Sequence, residues 1–94
     1  MRPAPPRGAV SAQLPFSCDE FQIANLPDGS PDWAVTGIRE AHSQAVKCLR
    51  AGELPQALCA LRLAVSILVT LAPEGLEARL WDARAAAVSR EMRQ

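Results

Sequence analysis

A chain of 94 residues has room for one small domain with a thin core. Its ten basic and ten acidic residues cancel, which removes the broad electrostatic attraction behind most nucleic-acid and anionic-membrane binding, so a partner has to be recognised mainly by shape. Cys18, Cys48 and Cys59 are odd in number and lack C-x-x-C spacing, with His42 alone to join them as a ligand; the pattern argues against a disulfide scaffold and a metal site and for thiols in a reducing compartment, hence a cytoplasmic protein.

Residues 1–15 hold four of the eight prolines among scattered small residues. No periodic apolar face can form there, and no apolar run reaches signal-peptide length, so a disordered Pro-rich tail is expected.

Residues 16–30 read as a short capped helix followed by a turn. In "FSCDEF", Ser17 and Glu20 stand at capping-box spacing, with Phe16 and Phe21 placed as a hydrophobic staple. A helix is expected from Ser17 to about Asn25, where "LPDGSP" forces a turn. Two uses of this segment are open: a docking helix offering Phe16, Phe21 and Ile23 to another protein's groove, or a further cover for the chain's own bundle.

Residues 31–94 form the main domain, an all-α three-helix arrangement. Ser30 is placed to cap, Pro31 suits the first helical position and Asp32 complements the dipole. From there Ala34, Ile38, Ala41, Ala45, Cys48 and Leu49 recur at helical spacing, so a helix is expected over about 31–51, stopped by Gly52. Three residues, "GEL", then precede Pro55, so the next helix folds back as an antiparallel hairpin and runs to about Ala72. Pro73 and Gly75 break the chain, and a third helix follows with Leu76, Leu80, Ala83 and Ala87 on one line and Trp81, Val88 and Met92 beside it.

The second helix is apolar nearly all round: in "LCALRLAVSILVTLA" only Arg62, Ser66 and Thr70 are polar. A bilayer span needs about 20 apolar residues and pays several kcal/mol for a central Arg, which argues against a membrane span and for the middle position of a bundle. Ala57, Ala60 and Ala64 make a strip for close approach by Ala41 and Ala45 of the first helix, while Leu58, Leu61, Val65, Leu68 and Val69 make a bulky strip for the third. The expected core is Leu58, Leu61, Val65 and Leu68. Leu63, Ile67 and Leu71 are left over and are expected to form a partner-facing rim. Trp33 and Trp81 read first as core residues, with interface anchors as the alternative.

The stretch "AHSQAVKCLRAGELPQALCALRLAV" resembles a tetratricopeptide-repeat hairpin or the related microtubule-interacting-and-trafficking domain, over residues 41–72. Ala45, Ala57 and Ala64 stand where those hairpins carry small residues, and Gly52-Glu53-Leu54 is similar to their turn. The departures are Ala41, Cys48 and Leu61 at the usual aromatic positions, and Pro73 arriving about one turn late, which suits a long-helix bundle better than a stacked repeat. The resemblance implies a scaffold that takes a helix or peptide between helices without catalysis.

Catalysis would need a cluster of titratable or nucleophilic groups. Neighbours on a helix point about 100° apart, so His42 and Ser43 are no ready base and nucleophile; His42 reads as a partly exposed surface residue. There is no phosphate loop, H-E-x-x-H or paired-cysteine motif. The expectation is therefore a non-enzymatic interaction module, an adaptor, co-chaperone or small subunit of a larger assembly, without cofactor or metal, binding another protein or a second copy of itself as a homodimer. The alternative from another class is a small nucleic-acid-associated regulator using Arg79, Arg84, Arg90 and Arg93 of the last helix, although Glu77, Asp82 and Glu91 are interleaved with them and the helix dipole alone accounts for arginines near a C-terminus.

Overall fold

The computed structural model describes residues 22–93, which form three α-helices joined by short turns. Phe16, Phe21 and the capping box at Ser17 lie outside the described residues. Gln22 to Pro27 carry no helix, so the helix expected to reach Asn25 does not extend into this stretch. A strap without regular secondary structure stands there instead: Ala24 is buried, Leu26 packs on the core and Asn25 Nδ2 donates to Glu77 Oε1 at 3.4 Å.

The strap ends in a turn with Gly29 at φ 81°, where Ser30 N–H donates to the Pro27 carbonyl at 3.3 Å and Ser30 Oγ donates to the same oxygen at 2.6 Å. That hydroxyl bond displaces the expected cap. The first helix, α1 (Asp32–Ala51), begins after Pro31 with no side-chain cap, and its first N–H groups, from Ala34 and Val35, go to the Pro31 carbonyl. Its C-terminus closes on Gly52 at φ 74°: Gly52 N–H donates to Leu49 O at 3.2 Å and Glu53 N–H to Cys48 O at 2.8 Å. This pair of bonds is the Schellman arrangement, and the left-handed backbone it requires is costly for any residue with a Cβ.

The second helix, α2 (Leu54–Leu71), follows at once with Pro55 in its first turn, and the third, α3 (Leu76–Met92), starts after the Pro73–Gly75 break. Among the described residues α2 alone is long and apolar enough to cross a membrane, with a third of it buried inside the fold. It is the middle helix, packed against both α1 and α3.

Small residues set the α1–α2 contact. Ala34, Ala41 and Ala45 of α1 and Ala57 and Ala64 of α2 are all buried, with Ile38, Leu49 and Leu61 filling the space between them. Each of those three large side chains, fully buried, stabilises by about 1.5–3 kcal/mol. The expected bulky strip divides: Leu61 and Leu68 are buried, Leu58 and Val65 are half-buried against the core, and Val69 is exposed.

The α3 stripe differs from the expected line. Ala78, Trp81, Ala85 and Val88 are buried at spacings of three, four and three, whereas Leu76 is 80% exposed, Leu80 and Met92 are also exposed, and Ala83 faces outward. Trp81 decides the rotation. It is the largest fully buried side chain, and the arc holding Leu76 and Leu80 lies about a third of a turn away from it at ~100° per residue. With Trp81 turned inward, that arc is left uncovered at Leu76 and Leu80. Among the expected core line, Ala87 alone is buried.

Candidate functional site

One face of the α1–α2 hairpin is left open. A groove of about 690 Å³ lies there, floored by Ala41, Cys48 and Ala60 and edged by Leu63 and the exposed Cys59. Its polar rim carries Glu40, Gln44, Lys47, Glu53 and Gln56. The hairpin builds this face from its own spacing. Ala41, Gln44 and Cys48 follow one another by three and four residues along α1, and Gln56, Cys59 and Leu63 do so along α2.

The predicted rim is brought together only in part. Leu63 is 52% exposed at the groove's edge. Ile67, expected beside it, is buried: its Cδ1 atom occupies the space over Gly37 of α1. Leu71 is half-buried and lines a separate small cavity with Pro27, Leu68 and Leu76 at the other end of α2. The cause is helical drift, because each four-residue step turns the side chain by roughly 40°. A line that begins outside at Leu63 therefore turns inward at Ile67, and at Leu71 it is covered only in part. Ile23 is exposed on the strap, away from helix structure, and Phe16 and Phe21 fall outside the described residues.

The two tryptophans part company. Trp81 has no exposed surface, lies 6.3 Å from the His42 ring in a tilted arrangement, and has the Arg84 guanidinium 5.5 Å from its ring centre. This cation–π contact tethers Arg84 to the interior side of α3. Burial pulls the Arg84 guanidinium below its ordinary value, and the carboxylate of Glu77 acts against that. Trp33 is 56% exposed. His42, expected to be partly exposed, is half-buried beside Trp81.

A second groove lies between α2 and α3, lined by Arg62 and Val65 on one wall and by Asp82, Ala86, Ser89, Arg90 and Arg93 on the other, over Ala85. Thus the arginines of the last helix do not share one face: Arg90 and Arg93 join Arg62 here, while Arg84 stacks on Trp81. Reading the sequence missed Arg62, since its partnership with α3 depends on the tertiary register of two helices.

No family model, curated protein or solved structure matches this chain. The protein class is therefore defined by the fold itself, a small all-α three-helix bundle with two surface grooves flanking its apolar middle helix.

Proposed function

We propose that this protein is a non-catalytic interaction module, an adaptor or small subunit of a larger assembly, that receives an amphipathic helix or peptide in the open α1–α2 groove. The observation that carries the reading is Leu63, a large apolar side chain 52% exposed at the edge of a groove floored by Ala41, Cys48 and Ala60. An apolar centre within a polar rim is the usual anatomy of such contacts, and a groove between two helices accepts a third helix by the same ridge-and-groove fit that joins the first two. The likeness of residues 41–72 to tetratricopeptide and trafficking-domain hairpins supports the same reading, as those scaffolds take helices or peptides between helices.

The test compares Leu63→Asp with the wild-type chain in two measurements. Light scattering over a dilution series reports self-association, and amide shift mapping during titration with helix-forming amphipathic peptides reports capture of a foreign segment. Self-association or peptide-induced shifts centred on Ala41, Cys59 and Leu63, abolished in Leu63→Asp while its unfolding free energy stays within about 0.5 kcal/mol of wild type, is the expected result. A monomer whose groove amides respond to none of the peptides overturns the reading.

A further inference from the structure

The α2–α3 groove differs in chemistry from the α1–α2 groove. Its two walls bring three exposed arginines to one opening: Arg62 from α2, Arg90 from the last turn of α3, and Arg93, which caps that helix. None of the three forms an ion pair among the described residues, and Arg93 Nη2 makes a 3.4 Å contact with Ser89 Oγ of its own helix. Arg90 and Arg93 also complement the C-terminal dipole of α3. Arg62 has no such reason to be there. It interrupts the most apolar helix of the chain, mid-helix, and faces the same opening.

We infer that this groove is a docking site for an acidic amphipathic segment of a partner protein, whose carboxylates are held between Arg62 on one wall and Arg90 and Arg93 on the other. Charge complementarity selects the occupant. Guanidinium groups pair carboxylates in planar, bidentate fashion, and three of them converging from two helices fix direction as well as charge. Between them lie Val65 and Ala86 on the walls and Ala85 beneath, an apolar surface against which the segment also buries a small apolar side chain. Asp82 also lines the groove and opposes any anion placed beside it, so the carboxylates sit on the arginine side. A nucleic-acid backbone fits less well: the chain as a whole carries no net charge, which removes the broad attraction a run of phosphates relies on, and such a run gains nothing from the apolar surface. The site is distinct from the α1–α2 groove and does not depend on it.

Fluorescence anisotropy with the full-length chain tests the assignment. The probe is a labelled synthetic amphipathic peptide with glutamates on one face and leucine and alanine on the other; its counterpart has every glutamate replaced by lysine, and a labelled single-stranded oligonucleotide serves as the phosphate probe. The acidic peptide should bind at least about tenfold more tightly than the lysine peptide, with an affinity that falls as salt rises. Arg62→Glu and the double change Arg90→Glu/Arg93→Glu should each weaken binding by about tenfold or more, whereas Arg39→Glu, an exposed change on α1, should leave it unchanged. These substitutions lie on the surface, and circular dichroism melting checks that each variant folds. Wild-type affinity in the groove variants, equal binding of the lysine peptide, tighter binding of the oligonucleotide, or no binding of the acidic peptide each overturns the assignment.

Discussion

A methyl group placed on Gly37 of α1 would stand 2.7 Å from the Cδ1 atom of Ile67 on α2. Glycine inside a helix costs about 1 kcal/mol relative to alanine, and here the absent side chain makes room for a buried isoleucine. The cost and the contact are coupled, which gives the first prediction. Gly37→Ala alone should be neutral or destabilising by up to about 2 kcal/mol, its propensity gain offset by the displaced Ile67. Ile67→Val, which removes the Cδ1 atom, should cost about 0.5–1.5 kcal/mol. In that background Gly37→Ala should stabilise by up to about 1 kcal/mol. Urea midpoints of the four chains measure the cycle, and additive effects would show that the two residues are not in contact.

Helix boundaries were legible in the sequence, because Pro31, Gly52, Pro55, Pro73 and Gly75 act through local backbone rules that need no tertiary knowledge. The α1 stripe was legible for a related reason: its small and branched residues alternate with polar ones at a single period, so one face alone can be buried. Rotation about the axis was not legible where that contrast fails. In α2 nearly every position is apolar, so Ile67 and Leu63 look alike until Gly37 is seen to open a place for one of them. In α3 two apolar arcs compete, and the bulk of Trp81 outweighs two leucines that the pattern alone would favour. The groove of Arg62, Arg90 and Arg93 was hidden for a third reason, since its walls come from helices whose relative register only packing decides.

Trp81 and Trp33 provide the second prediction, because one has no exposed surface and the other is more than half exposed. Trp81→Ala should cost about 3–5 kcal/mol, a large part of the total stability of about 5–15 kcal/mol common to small domains. Trp33→Ala should change stability by no more than about 0.5 kcal/mol. Fluorescence separates them independently. A Trp33→Phe chain, reporting Trp81 alone, should emit toward the blue and resist quenching by iodide, while a Trp81→Phe chain should emit toward the red and quench readily. Equal quenching of the two would mean that Trp81 does not occupy the core.

The strap at residues 22–27 provides the last prediction. Ala24 and Leu26 close the lower end of the bundle beside the α2–α3 turn, and Asn25 reaches Glu77 across it. Most of the stabilisation has to come from the two apolar residues, since an exposed hydrogen bond is offset by water. Two shortened chains isolate their contribution: one beginning at Gln22 and one beginning at Asp28. The area covered by a buried alanine and a half-buried leucine corresponds to about 1–2 kcal/mol. In a domain of this size each kcal/mol moves the melting temperature by about 4–8 °C, so the shorter chain should melt measurably lower. Ala24→Asp in the longer chain should reproduce much of that loss, because it places an unpaired carboxylate at a position only 6% exposed, whereas Asn25→Ala should have little effect. If the two shortened chains melt together, the strap lies on the bundle without stabilising it, and the cavity it borders with Leu68, Leu71 and Leu76 closes by helix contacts alone.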